Sequence, residues 1–153
     1  MLSLQEISDR LEIADLLTLY SDALDRRDWD QLDRVFLPEA VLDSSEMGGV
    51  RAAFPEAKAY MMNALPVFPV YQHLTGPSKI AVDRDLATAR TILFNPTVAE
   101  TEGRQTVFFA GAWYRDRLVR TKAGWRIAER YLEKAYFHNL PAGLGGAAET
   151  AAQ

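Results

Sequence analysis

QTVFFAGAWYRDRLVRTKAGWRIAERYLEKAY, residues 105–136, is the stretch on which the fold class turns. It is dense in Val, Ile, Phe, Tyr and Trp, residues that fit a pleated, half-buried surface. It is interrupted by a single turn signal, TKAG at 121–124. The expected elements are strands over 105–120 and 125–136 joined as a hairpin. Period two along the first strand places Phe108, Ala110, Ala112, Tyr114, Asp116 and Leu118 on one face. Phe109, Gly111, Trp113, Arg115 and Arg117 fall on the other.

Upstream, 70–75, 78–83 and 86–98 have the same character and are punctuated by DRD and ETEGR. Before residue 70 the period changes. Ser3 followed by Glu6 forms a capping-box pattern, and Ile7, Leu11, Ala14, Leu17, Ser21 and Leu24 recur at helical spacing, which predicts a helix over about 3–26. Asp28 is positioned to cap a second, short helix through Trp29, Leu32, Val35 and Phe36 that Pro38 ends. A short strand at 40–43 follows, then a turn at 47–51 carrying Gly48 and Gly49. A third helix runs from Pro55 to near Leu65. Helices first and an antiparallel meander afterwards make an α+β domain with the helices on one face of the sheet. A single domain over 1–140 is expected, with a small, polar tail at 141–153 that should be flexible.

The 153 residues suffice for one core, and 48% hydrophobic with 25% charged residues is a globular composition. No apolar run approaches the roughly 20 residues of a membrane span, and the first residues lack a basic segment followed by an apolar one, so a cytoplasmic protein without membrane contact is expected. A net charge of −4 and the interleaving of Arg115, Arg117, Arg120, Lys122 and Arg126 with acids and aromatics argue against nucleic acid as a partner. Zero cysteines exclude disulfides and thiolate chemistry. The two histidines, His73 and His138, match no ligand spacing with Asp43 or Glu133, so no metal is expected.

The element order, together with DRRDWDQLDRVF (25–36), YQHLTG (71–76) and YRDRLVRTKAGWRI (114–127), resembles the SnoaL-like branch of the nuclear transport factor 2 superfamily over about residues 5–136. Within that branch it is most similar to the relatives of scytalone dehydratase and hexachlorocyclohexane dehydrochlorinase. The resemblance implies a cone-shaped fold, three N-terminal helices on a curved, mostly antiparallel sheet enclosing one pocket. In those lyases an Asp at the end of the first helix pairs with a His on a strand, and the matching positions are Asp25 and His73. The other dehydratase residues are missing. Its pocket tyrosines fall on Leu24 and Ser44, its asparagine on about Ala110 and its second histidine on 95–98, which has none, so scytalone is not the expected substrate.

A histidine oriented by a carboxylate serves as a general base near neutral pH. The reaction class such a pair supports is proton abstraction from carbon followed by elimination or isomerisation, without a cofactor. The bland alternative is a satisfied core histidine beside an exposed helix-end acid. A G-x-S-x-G nucleophile elbow does not occur. The resemblance puts the Phe108 face inward, so Phe108, Ala110 and Tyr114, with Tyr20, Leu24, Asp43 and Ser44, are the expected substrate-binding residues. Small side chains at 110 and 112 suit a hydrophobic, cyclic small molecule. The opposite face, with Trp113 between arginines, is the expected surface of a homodimer. Other readings on this fold are an epoxide hydrolase or polyketide cyclase-like enzyme, with Asp43 as second acid, and a non-catalytic ligand-binding or assembly module.

Overall fold

The computed structural model describes residues 1–144. Helix α1 spans Leu4–Arg26, with the Ser3 hydroxyl accepting the Glu6 N–H as its N-cap. It ends in a Schellman-type turn, in which Arg27 adopts φ 58° and donates to the Leu24 carbonyl, while Asp28 N–H reaches the Ala23 carbonyl at 2.9 Å. A 3₁₀ turn at Trp29–Arg34 leads into β1, Phe36–Asp43. A second turn at Ser45–Met47 and the short β2, Arg51–Ala53, precede α2, Phe54–Ala64, which has Pro55 in its first turn. After a turn at Leu65–Val67 come β3 (Val70–Tyr71), β4 (Leu74–Asp83), β5 (Leu86–Thr101), β6 (Arg104–Thr121) and β7 (Gly124–His138).

The strands form one curved sheet in the order β2-β1-β7-β6-β5-β3, with β4 also paired to β5. All pairings are antiparallel except β1 with β7. This is the expected α+β class, with helical segments at the N-terminus and an open, curved sheet. Several local expectations fail: Asp28 makes no side-chain capping bond to the 3₁₀ turn, and the strand expected over 70–75 is interrupted after Tyr71, which leaves His73 in a link rather than on a strand. Phe36 lies in β1 rather than in a helix, because the 3₁₀ turn stops at Arg34 and Phe36 pairs with Ile127. Pro38, which cannot donate to a ladder, sits where β1 and β7 lose register between Phe36 and Val41. The segment after Gly49 is also not all turn, since Arg51–Ala53 pairs with β1. Of the tail, Pro141–Leu144 is irregular and 145–153 lie outside the described residues.

The core fills the space between α1 and the sheet. Ile13, Leu16, Leu17, Tyr20 and Leu24 of α1 pack with Phe36, Phe54, Tyr114, Leu118 and Ile127. The two faces of β6 separate as period two requires: Phe108, Ala110, Ala112, Tyr114, Asp116 and Leu118 are buried, and Arg115 and Arg117 are exposed. At the far end a buried carboxylate fastens helix to sheet. Asp9 accepts two hydrogen bonds from Arg120, at 2.5 and 2.8 Å, one from Trp125 Nε1 at 3.2 Å and one from Gln5 at 3.1 Å. The Arg120 guanidinium stacks 4.5 Å from the Trp125 ring. The Arg120 bonds hold the Asp9 carboxyl down at about 2 against the opposing effect of burial.

Candidate active site

Asp25 occupies the last turn of α1, where a negative charge meets the negative end of the helix dipole. Local electrostatics therefore disfavour a carboxylate there, and its partners come from elsewhere in the chain. His73, in the link between β3 and β4, supplies them. Its backbone N–H donates to both Asp25 carboxylate oxygens at 3.0 Å, and its Nδ1 lies 2.7 Å from Oδ1. A carboxylate only accepts, so the contact places a ring hydrogen on Nδ1, which in the neutral imidazole leaves the Nε2 lone pair free. Among the described residues Nε2 makes no hydrogen bond. The His73 side chain is 8% exposed and that of Asp25 26%.

The surroundings hold both residues in place. The Tyr71 ring meets the His73 ring edge-on at 5.7 Å, and its hydroxyl donates to the Leu24 carbonyl at 2.9 Å, satisfying one of the orphan acceptors at the helix end. Arg27 covers Tyr71 from outside at 5.4 Å and donates to the Phe68 carbonyl. Tyr71 opposite Thr97 and Leu74 opposite Phe94 bring His73 level with Asn95, whose β6 partner is Ala110.

A second polar group lies deeper. On the inner face Arg130 of β7 stands directly opposite Asp116 of β6 and donates to it through Nε at 2.7 Å and Nη2 at 2.8 Å. The side chains are 4% and 0% exposed. Arg130 also packs against the rings of Tyr20 and Tyr114, at 4.0 and 4.2 Å. Burial alone would push the guanidinium pKa down, but the Asp116 charge reverses this and holds it above its ordinary value. Burial pushes both phenols up, so Tyr20 and Tyr114 remain neutral hydrogen-bond donors at physiological pH. Arg130 Nη1 is buried with no partner among the described residues. Arg130 borders a cavity of about 40 Å³ lined by Tyr20, Asp43, Ser44, Tyr114, Met61 and Leu132, among others.

The expected binding residues thus divide. Tyr20, Asp43, Ser44 and Tyr114 line the cavity, which does not reach Leu24, Phe108 or Ala110. Those three are buried, with Phe108 and Ala110 on the same inner face of β6. Ala110 and Tyr114 are four residues apart along β6, roughly 13 Å, so the His73 level and the Arg130 cavity are distinct stations along one interior. Asp43 is committed locally: Ser45 N–H and hydroxyl bind its carboxylate at 3.0 and 2.6 Å, lowering its pKa. Ser44 closes a turn through bonds of 3.1 Å to and from Val50. His138 stacks on Phe109 and Tyr136 packs on Gly111, so both belong to the outer sheet face.

Arg130 is the residue that sequence reasoning missed. Uninterrupted pairing outward from Thr121 and Gly124 would set Asp116 opposite Glu129. A one-residue irregularity between Arg117 and Leu118 substitutes Arg130. The buried position of Asp116 was the available signal, since an inward carboxylate demands a cation.

The comparisons agree with this architecture. The chain is 48% identical over 136 residues to an uncharacterized protein of Mycobacterium tuberculosis, covering 89% of this chain and 92% of the relative. Among solved structures it is similar to LinA, with a TM-score of 0.78 at 19% identity over 91% of this chain and 94% of that one. A candidate scytalone dehydratase from Novosphingobium aromaticivorans superposes with a TM-score of 0.77 at 17% identity, over 92% and 93% of the two chains. At those identities the structural likenesses speak for the fold alone. The model of the SnoaL-like domain matches residues 5–131, and the chain therefore belongs to the SnoaL-like domain family.

Proposed function

We propose that this protein is a cofactor-independent lyase or isomerase in which His73 removes a proton from carbon and Asp25 orients it. The single observation that carries the reading is the 2.7 Å contact between Asp25 Oδ1 and His73 Nδ1, which leaves Nε2 as a free, largely buried base. The carboxylate also stabilises the imidazolium that forms when Nε2 takes the proton. The reprotonated or eliminated product then depends on whether a leaving group stands β to the carbanion.

The substrate in this reading is a hydrophobic, cyclic small molecule, held by the apolar inner face of β6 and anchored at its polar end by the donors Tyr20, Tyr114 and Arg130. Hexachlorocyclohexane dehydrochlorinase among the structural neighbours is consistent with proton abstraction on such a scaffold. A homodimer through the outer sheet face completes the proposal. Leu74, Ile92, Phe94 and Tyr136 are exposed there, whereas Trp113 is covered by the Arg90 guanidinium at 4.4 Å.

The test is deuterium wash-in. Cyclic ketones and halogenated cyclohexanes are incubated with the protein in heavy water, and carbon-bound deuterium or the eliminated product is followed by NMR. Catalysis by the wild type that His73→Gln abolishes supports the reading. A panel on which wild type and His73→Gln are equally inert favours a binding module.

A further inference from the structure

We propose that Ser44–Val50 is a hinged flap over the Arg130 cavity and that Glu46 is its latch. The cavity of about 40 Å³ holds little more than one water, whereas a ring-sized ligand needs several hundred Å³, so entry requires a wall to move. The walls are unequal. Tyr20, Tyr114, Arg130 and Leu132 stand on long elements of the core, but Ser44 and Val50 belong to one short excursion between β1 and β2.

That excursion is closed on itself. Ser44 N–H donates to the Val50 carbonyl at 2.9 Å, the Ser44 hydroxyl bridges Val50 N–H and C=O, and Gly49 N–H returns to the Ser44 carbonyl. Gly48 takes φ 81°, and a Cβ on Gly49 would fall 2.1 Å from Ser44 Oγ, so the closure depends on these glycines. A loop tied at its own base can swing as a unit, and its turn Ser45–Met47 contains no fully buried residue.

Few bonds fasten its tip to the rest of the molecule. Glu46 makes two of them, accepting from the Tyr131 hydroxyl and from the Lys134 backbone N–H, the latter at 2.9 Å. A longer bond of 3.4 Å runs from the Tyr60 hydroxyl to the Gly48 carbonyl, and Met47 rests partly buried against the core. Releasing Glu46 frees the tip from β7 and lets the Ser44 and Val50 wall withdraw from the cavity that Arg130 borders. The flap would serve the ligand site proposed above and rests on that reading.

The chain has no cysteine, so a single introduced thiol reports access without background. Met61→Cys places it on the cavity wall, and Ala112→Cys, in the core of β6, reports wider opening. Alkylation by iodoacetamide is timed in each, with and without Glu46→Gln. The expected result is a roughly tenfold or larger rise in rate at Met61→Cys and no change at Ala112→Cys, the effect of losing a charge-assisted hydrogen bond at the latch alone. Tyr131→Phe, which removes one hydroxyl, should reproduce a rise at Met61→Cys. Unchanged rates at Met61→Cys in both latch variants, or a parallel rise at Ala112→Cys, overturn the proposal. Alkylation needs no turnover, so an inert dyad and an immobile flap give separate results.

Discussion

The Asp25 carboxylate grips His73 at two points, the backbone N–H at 3.0 Å and Nδ1 at 2.7 Å, so it fixes both where the residue sits and which ring nitrogen is free. Asp25→Asn keeps an oxygen for the backbone bond but removes the charge that sets the tautomer. The expected outcome is a folded protein whose activity, on any substrate identified by wash-in, falls roughly 10³–10⁴-fold. Nitrogen-15 NMR of the neutral His73 ring provides a check independent of turnover. The wild type should carry its hydrogen on Nδ1, and a ring with the hydrogen on Nε2 would remove the base from the proposed reaction.

The Asp9 carboxyl titrates at about 2 in the folded protein against 3.8 in its reference state. A lowered folded value means that its stabilisation is complete above about pH 4 and is lost as pH falls through about 2. Asp9→Asn should therefore flatten this part of the acid unfolding profile. Asp9→Ala should cost about 2–4 kcal/mol in urea at neutral pH, because it strands Arg120 and the Trp125 N–H. A loss below about 0.5 kcal/mol, the range of an ordinary surface change, would show that the fastening is not structural.

Asp116 and Arg130 neutralise one another in a setting that tolerates neither alone. Asp116→Leu and Arg130→Met should each destabilise by about 3–5 kcal/mol, and the double variant by clearly less than their sum. Additive losses in chemical denaturation would mean that the pair is not coupled.

The outer sheet face presents Phe94, 37% exposed and stacked at 5.5 Å on Phe109. Phe94→Glu places a charge on the proposed homodimer face, and a shift to the monomer volume on size exclusion is the expected result. Trp113→Glu should act more weakly, because Arg90 already shields the indole. An elution volume unchanged by Phe94→Glu would rule out this face.

Much of the fold is legible because its signals are local. Ser3 and Glu6 mark the start of α1, TKAG the β6–β7 hairpin, and period two sorts β6 into the two faces the structure displays. Asp25 and His73 were found through the family pattern; no spacing within the chain relates two residues 48 positions apart. What escaped was set by long-range register. Phe36 reads as a helical residue until Ile127 offers it a ladder, and Arg130 reads as an exposed strand residue until a bulge turns it inward. The latch on Glu46 is illegible for the same reason, since Tyr131 is 85 residues away.

The parallel pairing of β1 with β7 also shapes how the chain is made. Phe36 must wait for Ile127, so β1 has only the short β2 along one edge, and the core face of α1 lacks most of its sheet, until nearly the whole domain has left the ribosome. Closing a loop of that length before the contact is rewarded raises contact order and slows folding. The β5–β6–β7 meander, whose neighbours are adjacent in sequence, can assemble first and offer β7 as a template edge. In this order of events the N-terminal segment completes the molecule last. Truncations that remove β7 should yield aggregation rather than a smaller folded domain.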